Sequence, residues 1–425
     1  PFDPRHEFND VKEQLCGAGG TYPHINNSGF VTSYSKLDPS HPGEIMKCYA
    51  PDQLPVLTTL AQEFAVCEHW FSSMPGPTWP NRFFVHAASS GGLDHSPPPL
   101  TSVESLLLKG YTFEHGTIFD RLDKANLSWT IYKGDAFPQA LSISGMNIRA
   151  LEGRFRDFDD FRGDVNNPNF TTSYIFIEPN YGHVLSGDFT DGNSQHPKDD
   201  VTRGEGLLKT IYETIRNSPH WENSMLIITY DEHGGFYDHV VPPQTVAPGD
   251  AITDPANNTN HFDFKQLGVR VPAVIISPLI PRGVIDATVY DHTSVLATIE
   301  SIFGFAPLTE RDKQANTLNH LFSHITPRTD AITTLPAPAH SGIEDDTLGA
   351  SPVVRSFATE TASATAPVSP SLRGFLHVAY LRDMQATPPA EQANQTARVT
   401  NIKTQLDARL YMDEVRQKVE PPNSK

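Results

Sequence analysis

The chain has 425 residues, 38% of them hydrophobic, and its 36 prolines and 28 glycines favour many fixed loops over a helical bundle or coiled coil. The length accommodates one large α/β domain with an appendage, or two ordinary domains. A formal charge of −18 argues against nucleic acid as a partner and against bulk binding to an anionic membrane. No apolar run reaches the length of a membrane span, so we expect at most transient membrane-surface contact.

Hydrophobic periodicity predicts the elements in chain order. The main ones are a helix over 56–66, strands over 128–132 and 173–177, a helix over 202–217, strands over 225–228 and 269–277, and helices over 293–303, 373–384 and 396–419. Strands separated by helical segments predict an α/β fold of three layers, α/β/α, with a mostly parallel sheet and a C-terminal helical extension.

Composition divides the chain into three parts. We expect residues 1–325 to form one compact domain, 326–372 to be a Pro/Ala/Ser/Thr-rich linker or surface strap, and 373–425 to form a helical segment. The pattern of the helical segment leaves open whether it forms a lid, docks on the domain or touches lipid.

Two acids follow the apolar run at 225–228 after a Thr-Tyr pair. Asp231 and Glu232 are hard oxygen ligands for a divalent cation, and Gly234 and Gly235 let the backbone turn closely around it. Ligands gather where parallel strands end, so this segment predicts a metal or phosphate site.

A second candidate is the proline-rich segment at 74–82. Its prolines and Gly76 fix the backbone around Thr78, as a hydroxyl nucleophile requires. Asn81 and Arg82 offer hydrogen-bond donors to phosphoryl oxygens. A proline-rich corner that caps the next helix is the structural alternative.

Three of the eighteen histidines stand in suitable settings. His292 opens a predicted helix after a strand and turn, and His196 precedes another predicted helix beside two acids, where the helix N-terminus favours an anion. His6 lies near the start of the chain. Together with the acids and Thr78, these histidines indicate phosphoryl transfer.

Residues 75–82, 228–239 and 264–278 closely resemble the phosphoesterase family. This family contains the non-specific phospholipases C of plants, the phosphatidylcholine-hydrolysing phospholipases C of bacteria and related acid phosphatases. The resemblance runs from about Asp3 to Leu321, with the motifs in order, and implies the fold of the alkaline phosphatase superfamily.

The resemblance also implies roles for the residues of these motifs. Thr78 would be the phosphorylated nucleophile, and Asp231 with Glu232 would hold a divalent metal ion, with Ca, Mg and Zn left open. The other groups around the phosphate would be His6, His196, His292, Asn81, Arg82 and His233.

We therefore expect a phospholipase C-type phosphodiesterase that cleaves phosphatidylcholine-like phospholipids to diacylglycerol and a phospho-head-group through phospho-Thr78. A broad acid phosphatase built on the same site is the first alternative. A processed, inactive fragment with a binding or structural role is the second. The substrate would be a phospholipid or another phosphate ester.

One family feature has no match in this chain, namely the upstream strand and Glu-Asn segment that complete the metal site. We therefore expect a separately held upstream polypeptide, an absent segment or an inactive fragment.

Five glycosylation sequons give weak support for a secreted or extracytoplasmic protein. They begin at Asn26, Asn126, Asn169, Asn257 and Asn394. Three cysteines permit one disulfide and leave one thiol.

Overall fold

A computed structural model describes residues 2–97, 110–182, 191–252, 254–341 and 366–420. The strands in these ranges are β1 (Ala65–Trp70), β2 (Trp129–Lys133), β3 (Phe155–Asp157), β4 (Tyr174–Glu178), β5 (Leu226–Thr229), β6 (Ala273–Ile276) and β7 (Val284–Tyr290). The α-helices are α1 (Phe8–Cys16), α2 (Phe30–Ser35), α3 (Pro55–Glu63), α4 (Thr78–Ala87), α5 (Ile118–Lys124), α6 (Met146–Leu151), α7 (Phe158–Val165), α8 (Val201–Arg216), α9 (Thr293–Phe303), α10 (Glu310–Gln314), α11 (Pro370–Ala386), α12 (Gln392–Thr400) and α13 (Gln405–Val419).

The strands form two sheets. One has the order β5-β6-β1-β7, in which β7 runs parallel to β1 while β6 runs antiparallel to both β1 and β5. The other has the order β3-β2-β4 and is parallel throughout. The protein is therefore a mixed α/β protein with parallel pairing and many helices, as the alternation of strands and helices predicts.

Strands β4 and β5 are the facing edges of the two sheets and run in the same direction. Asn167, ahead of β4, accepts a hydrogen bond from His220, ahead of β5, at 2.9 Å. At the other end, Arg82 contacts both Glu178, the last residue of β4, and Asp231, just after β5. Among the described residues, the edge of β4 that faces β5 and the edge of β5 that faces β4 have no pairing partner. A row of backbone donors and acceptors is therefore left on each strand.

Apolar side chains cover both faces of this gap between β4 and β5. On one face Ile175 and Ile177 of β4 and Leu226 of β5 pack into a cluster with α8. On the other face Phe176 and Ile227 pack against the main core. The two edges thus share continuous apolar layers although they are not hydrogen-bonded to each other.

The C-terminal helices pack against the preceding part of the chain and complete its main core. Leu372, Phe375 and Tyr380 of α11 are buried in the same cluster as Trp79 of α4. Gly374 lies so close to Trp79 that an added Cβ would be 2.0 Å from the indole ring. The C-terminal helical segment, whose placement the sequence did not determine, is therefore an integral part of the core.

Three predicted elements differ from the observed ones. The helix predicted over 56–66 ends at Glu63, because the chain continues into β1. β1 is too short for its alternating pattern to be distinguished from the helical pattern before it. The strand predicted over 269–277 is shortened to β6, since Pro272 lacks the N–H that a ladder requires. The helix predicted over 396–419 is divided into α12 and α13, and the Thr404 side chain caps the second of them.

The described part of the predicted linker, up to residue 341, crosses the outside of α8. Tyr212 donates a hydrogen bond to the Ile332 carbonyl at 2.5 Å, and Arg216 donates to the Ala331 carbonyl at 2.8 Å. This part is a surface strap. Residues 342–365 of the predicted linker lie outside the described residues.

Other sequence features have clear positions. None of the described helices has both the length and the apolar character needed to cross a membrane. Cys16, Cys48 and Cys67 are all free thiols. Asn257 is buried and donates to the Gly91 carbonyl at 3.2 Å, so its sequon is not accessible in the folded chain.

We expect Gly374→Ala to lower the free energy of unfolding by about 1–3 kcal/mol, because the new methyl group would collide with Trp79. Urea denaturation measures this change. Gly206→Ala in α8 is the matched control, since nothing lies within 4 Å of an added Cβ there. This control should be neutral or stabilising by up to about 1 kcal/mol. Equal effects of the two substitutions would contradict the docking of α11.

Candidate active site

Thr78 is the first residue of α4, and its presentation depends on Asn81. The Asn81 side chain accepts from the Met74 N–H at 3.0 Å. It also donates to the carbonyls of Met74, Gly76 and Pro77 at 3.1–3.2 Å. These bonds fix the loop that carries Thr78 to the positive end of a helix dipole, where an alkoxide is stabilised. Because Asn81 is fully buried and used in this way, it shapes the loop and offers no free donor to a ligand.

Arg82 is held in an ion-paired junction. Its Nε donates to Asp231 Oδ2 at 3.2 Å, and its Nη1 lies 3.6 Å from Glu178 Oε2. Nη1 also donates to the Tyr181 hydroxyl, which in turn donates to Glu178 at 2.7 Å. Burial opposes the charge of Arg82, but Tyr181, Asp231 and Glu178 outweigh it and raise the pKa of Arg82 above its ordinary value. Two carboxylates therefore already neutralise this cation.

The segment from Asp3 to Phe8 lies between the Thr78 loop and the glycine turn after β5. Gly235 has φ +78°, and an added Cβ would lie 2.7 Å from Pro4 Cβ. On the other side, an added Cβ on Gly76 would lie 4.0 Å from Phe8 Cα. This packing brings His6 towards both predicted motifs.

His6 and His196 are neighbours with opposite tendencies to hold a proton. Their ring centroids are 6.2 Å apart. Burial opposes the charge of His6, but Glu232 and Asp3 outweigh it and raise the pKa of His6 to about 9. Burial lowers the pKa of His196, with Asp3 opposing that shift. At neutral pH the pair therefore offers one imidazolium and one neutral imidazole, as paired acid and base groups require.

Glu232 and His233 form a buried pair next to His6. Burial would raise the pKa of Glu232, but His6, His233 and the Gly234 N–H lower it to about 2. His233 Nδ1 lies 3.5 Å from Glu232 Oε2, and its Nε2 contacts Gln14 Oε1 at 2.9 Å. His233 thus holds Glu232 against α1, and its ring nitrogens are both engaged.

His292 is fully buried, and its ring nitrogens also have protein partners. Nδ1 accepts from Trp70 Nε1 at 3.3 Å, which leaves the proton on Nε2 for the Asp231 carbonyl at 2.7 Å. Burial lowers the pKa of His292. In this structure the neutral ring fixes the backbone of Asp231 from behind.

The two predicted metal ligands are adjacent, but they do not form a metal centre by themselves. Asp231 Oδ2 accepts from Arg82, and Glu232 Oε2 accepts from the Gly234 N–H at 2.8 Å. Over the described ranges, no group of three or more His, Cys, Asp or Glu side chains is arranged to hold a metal ion. Calcium and magnesium take six or more oxygen ligands, so these residues fit at most part of a coordination shell.

Several residues of the site are not apparent from the sequence. Glu178 follows a predicted strand and could have been found by the rule that indicates Asp231. No sequence motif indicates Asp3, Gln14 or Tyr181, which are brought to the site only by the tertiary fold.

Arg311 is a further buried residue of this kind. It donates to Asp291 Oδ2 at 3.0 Å and to the Ser73 carbonyl at 2.9 Å, and its guanidinium lies over the Phe84 ring. It connects the loop before Thr78 to the turn that carries His292.

Aromatic residues near the motifs divide into two groups. Trp70, Phe71 and Trp79 are at most 1% exposed, so they are core residues and cannot surround a head group. Phe236 and Tyr237 are 37% and 36% exposed and are accessible.

A rigid hydroxyl at a helix N-terminus, two differently protonated histidines and carboxylates at strand ends define the class of a phosphoryl-transfer site on an α/β fold. A model of the Phosphoesterase family matches residues 1–306. The chain therefore belongs to the Phosphoesterase family.

The relatives are plant and bacterial proteins. Non-specific phospholipase C3 of Arabidopsis thaliana is 36% identical over 350 residues, and non-specific phospholipase C6 is 38% identical over 353 residues. Both alignments cover 79% of this chain and 64% of the relative, so the aligned part spans slightly less than two thirds of these proteins. Phospholipase C B of Mycobacterium tuberculosis is 29% identical, with 61% of this chain and 52% of the relative covered.

A solved member of the alkaline phosphatase superfamily from Vibrio parahaemolyticus aligns with a TM-score of 0.31 at 13% identity, over 73% of this chain and 82% of that protein. This score is too low to support a conclusion about the fold.

The charge state of His6 leads to a pH-dependent stability. Its pKa is raised, so the contribution is complete below the unfolded value of 6.5 and is lost as pH rises through about 9. In EDTA buffer we expect His6→Gln to lower the free energy of unfolding by on the order of 2–3 kcal/mol at pH 6, and by much less at pH 10.

Urea denaturation at both pH values measures this difference. His24→Gln, at an exposed position, is the control. A loss of stability that is equal at both pH values would show that His6 is not held as a cation.

Proposed function

We propose that this protein is a phospholipase C-type phosphodiesterase that hydrolyses phosphatidylcholine-like phospholipids to diacylglycerol and a phospho-head-group. The observation that carries the proposal is the placement of Thr78 at the start of α4, beside a segment that holds His6 as a cation next to a neutral His196. Membership of the Phosphoesterase family and the names of the plant relatives support it.

The proposed reaction has two steps. In the first, Thr78 Oγ1 forms a bond to phosphorus as the bond from phosphorus to the glycerol oxygen breaks. Neutral His196 takes the threonine proton, and the His6 imidazolium protonates the leaving alcohol. In the second, water attacks phospho-Thr78, releases the phospho-head-group and restores the hydroxyl. The dipole of α4 stabilises the charge on the phosphoryl oxygens in both steps.

The roles first expected for Asn81, Arg82, His233 and His292 become supporting ones in this proposal. Their polar atoms are engaged with the protein. They hold the Thr78 loop and the two carboxylates in place, so that the reacting groups are preorganised.

We also propose that Asp231 and Glu232 contribute to a divalent metal site. Such an ion would neutralise charge on the phosphoryl group. Two carboxylates fill only part of a shell of six oxygens, so further oxygen ligands would come from water, from the substrate phosphate or from residues outside the described ranges.

An upstream polypeptide is our proposal for the source of those ligands. The facing edges of β4 and β5 have unpaired backbone groups and apolar layers on both sides, which suits an extended segment. The carboxyl ends of β4 and β5 are joined by Arg82, which contacts Glu178 and Asp231. One end of a segment paired between the two strands would therefore lie beside Asp231.

A broad acid phosphatase is the second candidate. The burial of Trp70, Phe71 and Trp79 favours it, since only Phe236 and Tyr237 of the five aromatics near the motifs remain for contact with a choline-like group. An inactive fragment is the remaining candidate.

Localisation outside the cytoplasm is likewise our proposal. The sequons at Asn26, Asn126, Asn169 and Asn394 lie at exposed positions, which supports it.

We expect Thr78→Val to reduce kcat for phosphate-ester hydrolysis by at least about 1,000-fold, because the nucleophilic hydroxyl is lost. Steady-state kinetics of the full chain, together with any polypeptide that copurifies, measure this change. Thr32→Val, at an exposed position in α2, is the control. Unchanged turnover in Thr78→Val would assign any activity to another site.

Parallel assays on phosphatidylcholine and p-nitrophenyl phosphate distinguish the two enzymatic proposals. We expect diacylglycerol release, and we expect EDTA to abolish it with recovery on addition of a divalent ion. Monoester turnover without diacylglycerol would favour the phosphatase. Activity that is insensitive to EDTA would contradict the metal proposal.

A further inference from the structure

Four large apolar side chains are exposed on the segments that surround the histidine pair. Phe236 and Tyr237 are 37% and 36% exposed, Met46 is 43% exposed and Phe2 is 53% exposed. We call these four residues the apolar rim. They come from three separate segments of the chain, and folded proteins rarely group large apolar side chains at the surface without a partner.

The turn at Gly234 brings Phe236 next to Pro197. An added Cβ on Gly234 would lie 2.7 Å from Pro197 Cγ and 3.3 Å from Phe236 Cδ2. Pro197 directly follows His196 in the chain. Phe236 therefore lies beside the segment that carries this histidine.

Phe2 belongs to a segment that reaches the same histidine. The neighbour of Phe2, Asp3, has its Oδ1 atom 3.7 Å from His196 Nε2. The ring of His6, four residues further along this segment, lies 6.2 Å from the ring of His196. Two members of the rim thus adjoin the histidine pair from different segments.

Tyr237 and Met46 are joined by a backbone contact. The Tyr237 N–H donates to the Ile45 carbonyl at 3.2 Å, and Met46 is the next residue. The Tyr237 ring packs edge-on against Phe30 at 5.3 Å, and Phe30 is 6.1 Å from the ring of His233. One side of Tyr237 is therefore held by the protein, while the rest of its side chain stays exposed.

Two cations next to the rim are already paired with acids. Lys47 Nζ lies 2.7 Å from Glu44 Oε1, and Arg270 Nη2 lies 3.1 Å from Asp238 Oδ2, in the residue after Tyr237. These pairs add no net positive charge to a chain whose formal charge is −18. An anionic membrane would repel such a protein, whereas a zwitterionic lipid surface would not.

We propose that the apolar rim binds a zwitterionic phospholipid surface, so that the proposed active site meets its substrate at the membrane. Aromatic and other apolar side chains enter the boundary between head groups and acyl chains. A protein partner would cover the same side chains, but it would not supply a phosphate ester to the adjoining histidines. The inference rests on the proposed function for the phospholipid as substrate.

The test compares the double variant Phe2→Gln/Met46→Gln with Ile148→Gln/Leu151→Gln. Ile148 and Leu151 are exposed apolar residues of α6, which makes them a matched control. Sedimentation with vesicles of phosphatidylcholine alone, in EDTA buffer, measures binding of the full chain with any copurifying polypeptide. Turnover of dihexanoyl phosphatidylcholine, dissolved as monomers, measures the reaction without a surface. Thermal unfolding shows that each variant is folded.

We expect Phe2→Gln/Met46→Gln to weaken vesicle binding by about tenfold or more, with monomer turnover unchanged. The α6 variant should match wild type, and wild-type binding should persist at high salt because the contact is apolar. Wild-type vesicle affinity in the folded rim variant would overturn the inference, as would equal losses in the two double variants. Wild type that binds no phosphatidylcholine vesicles, or only anionic ones, would also refute it.

The outcome is separable from that of the proposed function. If wild type hydrolyses no phosphatidylcholine but binds its vesicles, and the rim variant loses that binding, the proposed function fails and the lipid-binding surface stands. If wild type hydrolyses the dissolved monomer and the rim variant binds vesicles as wild type does, the proposed function stands and the rim has no such role.

Discussion

Arg82 joins the carboxyl ends of β4 and β5 through Glu178 and Asp231, and the position of the whole site depends on this junction. The guanidinium belongs to α4, which also carries Thr78, so Thr78 is fixed relative to both sheets. Tyr181 completes the network by bonding to both Arg82 and Glu178. Removing one partner would leave a buried charge uncompensated, which is costly in a low-dielectric interior.

Contacts of this kind within the protein also limit which side chains can take part in the proposed reaction. The polar atoms of Asn81, Arg82, His233 and His292 are engaged with the protein. His6 and His196 lie next to each other, with ring centroids 6.2 Å apart. Charges on Asp3 and Glu232 favour the proton on His6, while burial disfavours it on His196. In the proposed reaction, preorganisation and proton transfer therefore depend on different side chains.

The C-terminal segment belongs to the same unit as the site. Residues of α11 fill the core behind Trp79, and Gly374 permits an approach that no larger residue would allow. A segment beyond the family match therefore packs against α4, the helix that begins at Thr78. The strap before residue 342 similarly covers α8, which packs beside the facing edges of β4 and β5.

The sequence by itself determined the α/β class, most element positions and the motifs around Thr78 and Asp231, because periodicity and turn chemistry are local. It overextended the helix before β1, whose burial arises only from pairing with β6 and β7. Only the tertiary structure decided that Arg82 is neutralised, that His292 is enclosed and that α11 reaches Trp79. These properties depend on contacts between residues far apart in the chain, and the charge and burial that such contacts impose leave no local pattern.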